Sequence, residues 1–256
     1  MNINLSTPMT FYELLAIILG TIGILIPIIQ IVWKKWIVKT KLNFLPTGRV
    51  YLFFNQSGPY LRIDGVYEAE NKSTSIKDIS LKIARCRDEK VLNLSWSSFV
   101  SPINQMMVNS IVQTTEVAHP FKIESNNLVC AFIEFCDFSN SYNRTFKVKT
   151  ENLFNRINEI KTKYANYVDA YKEYKNSEEY SAAKEEIKKY FFWEIGEYDL
   201  QIKVKYGNQI KNFQYKISLE ENDYRLLYGN IDESLLSPLK ILYGEKLEYY
   251  TANIKI

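Results

Sequence analysis

One histidine, three cysteines and a few paired carboxylates are the side chains of this sequence that could do chemistry. His119 stands in Ala118-His119-Pro120-Phe121 and reads as a turn residue ahead of a strand. A Ser-His-Asp arrangement would have to use it, because imidazole is the base that takes the serine proton. The chain has no G-x-S-x-G elbow to present such a serine. Cys86, Cys130 and Cys136 form an odd set without regular spacing, which fits a reducing compartment better than a disulfide framework. Cys130 and Cys136 share an apolar strand-like run, point to one face of it and read as small buried hydrophobes. No further Cys or His stands at zinc-ligand spacing. Glu178-Glu179 and Glu185-Glu186 sit among lysines, with Glu185 and Lys189 at i, i+4, as on a solvated helix face. No P-loop, dinucleotide fingerprint, metalloprotease or EF-hand pattern occurs. The expectation is a chain that is no enzyme and holds no cofactor and no metal.

The elements around these groups change character abruptly along the chain. Residues 14–33, LLAIILGTIGILIPIIQIVW, carry no charge, and their polar side chains are Thr21 and Gln30. Crossing a bilayer takes about 20 apolar residues at ~1.5 Å rise each. A helix apolar on every face at this length reads as a transmembrane helix rather than a soluble core helix. Glu13 precedes the run without any Lys or Arg, and no small-residue cleavage site follows, so the reading is an uncleaved anchor rather than a signal peptide. Within it, Pro27 leaves the Gly23 carbonyl without its helical donor and favours a modest kink. Ala16 and Gly20 make a small-xxx-small pair through which two anchors can pack into a homo-oligomer.

Trp33, Lys34, Lys35 and Trp36 follow at once, with Lys39, Lys41 and Arg49 further on. Indoles suit the headgroup zone, and basic flanks stay on the cytoplasmic side. These four residues are the expected membrane interface, and the lipid bilayer is the first expected partner. Residues 1–13 would be a short extracytoplasmic N-terminus, and the C-terminal body would lie in the cytoplasm, held to the inner membrane by a single pass. The net charge of +3 owes much to the juxtamembrane cluster. The body is near neutral, which argues against nucleic acid as a partner, since phosphate binding needs a concentrated basic face.

Beyond a basic juxtamembrane linker at 34–48, residues 49–231 read as one β-rich domain and 232–256 as a C-terminal tail. With 19 Tyr and 14 Phe the composition points to sheet. Val50, Leu52 and Phe54 alternate with Tyr51 and Phe53. Asn55 to Pro59 is a turn, and Tyr60 to Glu68 is a second strand with Gly65 at a bulge. Ile79 to Ile83, Leu92 to Trp96, Leu128 to Phe135 and Thr145 to Val148 follow as strands. The clearest signal is the hairpin of Tyr198 to Tyr206 and Phe213 to Leu219 about Gly207-Asn208. Many short strands indicate an antiparallel β-sandwich, and Gly196-Glu197-Tyr198 at a strand head is similar to the tyrosine corner of immunoglobulin-like sandwiches.

Residues 151–192 have a different pattern. Leu153, Ile157, Ile160, Tyr164, Tyr167, Tyr171 and Tyr174 fall at alternating intervals of four and three, a heptad stripe. After Asn176-Ser177 a second helix carries Tyr180, Ala183, Ile187 and Tyr190 on one face. This reads as an αα-hairpin inserted into the β-domain. Its helices pack on each other or on the sheet; alternatively Tyr164, Tyr167, Tyr171 and Tyr174 are a surface for a protein partner, since Tyr supplies large contact area at interfaces.

The string Phe54-Asn55-Gln56-Ser57-Gly58-Pro59-Tyr60-Leu61, with Trp96 and Phe99 after a charged turn and Trp193 ahead of Gly196-Glu197-Tyr198, resembles a family of bacterial single-pass membrane-anchored proteins with a β-sandwich domain. The resemblance covers most of the sheet portion and leaves the helical insertion without a counterpart. It implies an anchor-plus-sandwich layout and a bacterial source. No activity is assigned to that family, so it implies none. The functional expectation is a membrane-tethered cytoplasmic protein-binding module, an accessory or sensor component of a bacterial stress or phage-defence system. The alternative is a membrane effector whose anchor oligomerises and perturbs the bilayer when the cytoplasmic domain is triggered.

Overall fold

The computed structural model describes residues 10–33, 38–107, 110–139 and 141–256, with the backbone alone at 102–107, 110–113 and 141. Helix α1 (Phe11–Val32) comes first. Seven strands follow: β1 (Lys41–Asn55), β2 (Gly58–Glu70), β3 (Thr74–Arg85), β4 (Val91–Met107), β5 (Ser110–Val117), β6 (Phe121–Ile123) and β7 (Leu128–Cys136). Four helices come next, α2 (Ser141–Lys149), α3 (Glu151–Lys163), α4 (Tyr167–Lys175) and α5 (Glu178–Lys188). The chain closes with β8 (Gly196–Tyr206), β9 (Gln209–Leu219), α6 (Glu221–Tyr243) and β10 (Ala252–Lys255).

All ten strands belong to one antiparallel sheet of order β10-β1-β2-β7-β4-β3-β8-β9, with β5 added to β4 and β6 to β3. The sheet curls until its two ends meet. Lys211 Nζ on β9 donates to the Leu42 carbonyl of β1 at 2.6 Å, and Tyr215 Oη donates to the Phe44 carbonyl at 3.3 Å. The result is a near-barrel, which differs from the expected two-sheet, immunoglobulin-like sandwich. The period-two pattern fixes which face of each strand is buried, not how many sheets share that face. Long twisted strands bring the two ends of a single sheet together. Alternate residues fill the interior, among them Leu52, Ile63, Ile133, Leu81 and Ile202, all essentially inaccessible.

β1 begins at Lys41, inside the segment expected to be linker. Leu42 and Phe44 already point inward. The sequence hides this because Pro46 and Gly48 interrupt the alternation. Gly48 takes φ +89°, and the register against β2 slips between Pro46 and Val50. The bulge is therefore on β1 and not at Gly65. Gly65 answers a different demand: a Cβ there would lie 2.5 Å from the Phe44 ring.

Three short helices stand in 151–192 where two are expected, and a fourth, α2, replaces an expected strand. Thr145 to Val148 is helical despite its β-prone residues, because Tyr142 and Phe146, at i and i+4, bury together on one side of α2. Tyr142 packs edge-on against Phe54 with centroids 5.3 Å apart. The long heptad helix is broken at Tyr164, which is extended (φ −120°, ψ 127°). Asn166 then caps α4 by accepting the Asp169 N–H at 2.9 Å.

The segment expected to be a tail from 232 begins inside α6, which is largely buried. Its start and stop follow ordinary rules: Glu221 and Asp223 lie in the first turn, and Gly244 ends it left-handed at φ +73°. Pro238 offers no N–H to the Ser234 carbonyl, and Ser237 Oγ donates to it instead at 2.9 Å. Asn230 then grips the returning chain through both main-chain groups of Tyr250, at 2.7 and 2.8 Å. This delivers β10 to the free edge of β1. The helices close the barrel end remote from α1, where Trp193 is fully buried and its Nε1 donates to the Phe53 carbonyl at 3.2 Å. Tyr198 Oη both donates to the Glu194 carbonyl and accepts its N–H, each at 2.6 Å, a clasp onto backbone four residues upstream.

Gly65→Ala is expected to destabilise the protein by about 1–3 kcal/mol, as overpacking does in a filled core. Gly229→Ala, inside α6 with nothing within 4 Å of the added Cβ, is expected to be neutral or to stabilise by up to about 1 kcal/mol. Denaturant unfolding of the two variants in detergent measures both.

Candidate functional site at the tethered end

α1 is the first candidate element. Thr10 caps it by accepting the Glu13 N–H while the Glu13 carboxylate accepts the Thr10 N–H at 2.8 Å, a reciprocal capping box. Its 22 residues would span about 33 Å at ~1.5 Å each, close to the hydrocarbon thickness of a bilayer. No residue of it is buried against the body. Ala16 and Gly20 lie on this exposed helix, and Gly20 has nothing within 4 Å of an added Cβ. Trp33 follows the helix and is exposed. Lys34, Lys35 and Trp36 of the expected membrane interface lie outside the described residues, as do residues 1–9 of the expected extracytoplasmic N-terminus.

The chain is fastened as it enters the sheet. Asn71 Nδ2 donates to the Lys39 carbonyl at 3.2 Å, and Lys41 pairs with Glu70 at 2.8 Å across the β1–β2 end. Beside them Ser73 Oγ donates to Glu124, which also pairs with Lys122 at 2.7 Å. The rim at which β1 enters is thus a set of exposed, mutually paired charges. Next to it lies a cleft of about 520 Å³ lined by Phe99, Phe121, Val129, Phe132, Cys130 and His119, among others. The His119 ring packs edge-on against Phe99 at 5.4 Å, and its Nδ1 lies 3.1 Å from the Val117 carbonyl. It is held as a packing and turn residue.

The tyrosine stripe packs toward α6. Tyr174 is fully buried and its Oη donates to the Leu235 carbonyl at 2.7 Å. Tyr164, Tyr167 and Tyr171 are half-buried against the core, with Tyr167 tilted against Tyr243 at 6.1 Å and the Tyr164 carbonyl accepting from Tyr243 Oη at 2.7 Å. Tyr174 is therefore closed to a partner, while Tyr164, Tyr167 and Tyr171 keep part of their surface accessible. The heptad stripe is real, but its complement is a helix that Pro238 and two serines concealed in the sequence.

That same helix holds the ionisable groups which sequence reasoning missed. Tyr180 Oη donates to Asp232 at 2.5 Å and Lys184 reaches it at 2.6 Å. Burial works to raise the Asp232 pKa, but the hydrogen bonds from Lys184 and Tyr180 outweigh it and hold the carboxyl below its ordinary value. Burial pushes the Tyr180 phenol up, and Asp232 pushes it further. The next residue, Glu233, forms a largely buried pair with Lys240 at 2.8 Å, and it also accepts the Glu248 N–H at 2.6 Å. The only sequence signal for this cluster was the spacing of Leu227, Ile231, Leu235 and Leu239.

Cys130 and Cys136 are not the buried hydrophobes expected. Cys130 and Cys86 are exposed and Cys136 is half-buried. Cys130 and Cys136 do share a face, but β7 turns Ala131, Ile133 and Phe135 inward and the cysteines outward. Desolvation and the neighbouring Asp199 push the Cys86 thiol up, away from an activated thiolate. Among the described residues no group of three or more His, Cys, Asp or Glu side chains is arranged to hold a metal ion.

No protein-family profile and no curated protein matches the chain. Among solved structures it is similar to a family 123 glycoside hydrolase from Clostridium perfringens analysed for glycolipid glycan hydrolysis, at 11% identity and a TM-score of 0.30. The match covers 71% of this chain and 27% of that one, so the chain spans about a quarter of the hydrolase. A hydrolase neighbour corrects the expectation that the chain is no enzyme, and that expectation is withdrawn. A likeness at this score assigns neither fold nor activity to this chain.

The depressed Asp232 pKa has a testable consequence. Unfolded, the carboxyl titrates near about 3.9. Its contribution to stability is present above that value and is lost as pH falls through the lower folded value. Asp232→Asn is expected to remove this part of the acid dependence, so that urea unfolding series on the two proteins converge toward low pH. Curves that stay parallel would contradict the assignment.

Proposed function

We propose that this chain is a membrane-tethered protein-binding module. In this reading α1 crosses the inner membrane of a bacterium, the near-barrel and its helices stand in the cytoplasm, and an outer face recruits a protein, as an accessory or sensor component of a stress or phage-defence system. The observation that carries it is α1, a helix long and apolar enough to cross a bilayer with no residue buried in the body. The basic residues that follow it favour the cytoplasmic side for the body.

With the tyrosine stripe packed toward α6, the outer face of β3, β8 and β9 is the candidate for the partner. It forms a shallow concavity of about 430 Å³ lined by Lys82, Asp199, Gln201, Gln214 and Lys216 among others. Charges of both signs around a mixed surface suit a protein partner, for which such pairs steer encounter and fix register. Affinity purification of the cross-linked full chain from solubilised membranes tests this. The wild type is expected to retain a specific partner, and the pair Lys82→Glu with Lys216→Glu is expected to lose it at least about tenfold, or ~1.4 kcal/mol. A wild-type chain that retains no specific partner contradicts the proposal.

A further inference from the structure

We propose that the cleft where β4 parts from β7 is a binding site for a small aromatic ammonium ion, an aryl ring that carries a protonated amine. It lies apart from the concavity on β3, β8 and β9 and requires neither the tether nor the protein partner.

The cleft arises from the way the sheet forks. β4 pairs with β7 from Ser95 opposite Cys136 to Phe99 opposite Ile133, and the ladder stops there. β7 itself extends back to Leu128, with β2 along its other side. Backbone groups of a strand point alternately to its two neighbours. Asn55 and Gly58 flank a two-residue turn, so β2 bonds to β1 through its even-numbered residues and to β7 through its odd-numbered ones. β7 meets those with its own odd-numbered residues, Ile133 opposite Ile63 and Ala131 opposite Gly65. The even-numbered residues of β7 therefore face β4, and on that side the Glu134 carbonyl accepts from Ser97 Oγ at 2.9 Å. Past the fork, the N–H and C=O of Cys130 and Phe132 face the same way with no ladder partner among the described residues.

The space so opened is about 520 Å³, within the range of roughly 300–1,000 Å³ common for small-molecule sites. Phe99 and Val100 of β4, Phe121 of β6 and Val129 and Phe132 of β7 make its walls apolar. The three Phe side chains are only half-buried. Phe99 and Phe121 meet edge-on at 5.4 Å, an arrangement that a further ring can extend.

The polar lining sets the charge of the ligand. No Lys or Arg lines the cleft, and Glu116 brings a carboxylate to it. His119 Nδ1 stands 3.6 Å from that carboxylate, too far for a hydrogen bond, and donates at 3.1 Å to the Val117 carbonyl, which can only accept. A neutral ring with its proton on Nδ1 keeps Nε2 as an acceptor. Thr114 and Thr115 add hydroxyls to the lining. An ammonium group donates only, and Glu116, the His119 ring and the open main-chain carbonyls accept from it. An anion would meet Glu116 with no Lys or Arg of the lining to offset it. The aromatic walls suit an aryl body, and ring faces attract the cation as well.

The probe is para-fluorophenethylammonium, followed by fluorine NMR relaxation with the full chain in dodecyl maltoside, and protein-free micelles are the reference. The chain is expected to speed relaxation saturably above the reference. Unlabelled phenethylammonium is expected to reverse this, and ethylammonium, which lacks the ring, to leave it unchanged. Para-fluorophenylpropionate has the same ring and the opposite charge, and Glu116→Gln removes the charge from the cleft; each change is expected to weaken binding at least about threefold, as loss of an accessible ion pair does. Cys130→Trp, at an exposed lining position, is expected to fill the cleft and return relaxation to the reference. The Lys82→Glu, Lys216→Glu pair lies outside the cleft and is expected to bind the probe as the wild type does. Circular dichroism checks that each variant is folded. Wild-type relaxation at the micelle level overturns the site. Equal binding of the propionate overturns the charge assignment, and undiminished binding by Cys130→Trp overturns the location.

Discussion

The ring of Phe44 occupies the space that a side chain at position 65 would need, and the closure of the sheet depends on that contact. Its centroid lies 4.6 Å from that of Tyr67 on β2, and 6.0 and 6.4 Å from those of Phe213 and Tyr215 on β9. One side chain thus touches its neighbouring strand and the far end of the sheet at once. Burying a phenylalanine contributes roughly 1.5–3 kcal/mol, but its position matters more than its area here. With the ring inside, the carbonyls of Leu42 and Phe44 come within reach of Lys211 and Tyr215. β1 is also the strand into which α1 leads, so the interaction that closes the barrel also fixes the rim at which the apolar helix joins the body.

The rest of the molecule is organised from that strand outward. β10 covers the second edge of β1, which would otherwise present unpaired backbone groups. α6 lies between, holding β10 through Asn230 and receiving the tyrosine stripe on its other side. The abundance of tyrosine then has a structural explanation. Each of Tyr174, Tyr198 and Tyr243 buries a ring and sends its hydroxyl to a main-chain carbonyl, so a large apolar area is gained without leaving the phenol unpaired. Arg85 plays the same part at the end remote from the tether: nearly inaccessible, it is bracketed by Asp88 and Glu194, each at 2.7 Å.

Much of this is legible in the sequence where a single period governs a segment. The long apolar helix α1, the β8–β9 hairpin and the buried face of α5 follow from spacing alone. Legibility fails where two signals compete. Pro46 and Gly48 disguise the first half of β1 as linker, although Leu42 and Phe44 keep the strand period. Pro238, Ser234 and Ser237 disguise α6 as tail, because a proline counts against a helix until the Ser237 hydroxyl is seen to replace its missing donor. The tyrosine stripe was readable as a stripe, but its partner lay some sixty residues onward in an element hidden by that same proline. Alternation in β7 showed that the cysteines share a face, and only the sheet order decides that the face is the outer one. Closure into a near-barrel has no local signal, since it depends on accumulated twist and on contacts between the first and last long strands.

The central claim is that α1 crosses the bilayer once and leaves the body in the cytoplasm. The most direct test is a pair of reporters fused after Ile256 of the full chain in bacterial cells, green fluorescent protein in one strain and alkaline phosphatase in the other. The account predicts membrane-localised fluorescence and an inactive phosphatase. An active phosphatase with a dark fluorescent fusion would place the body outside and contradict the account.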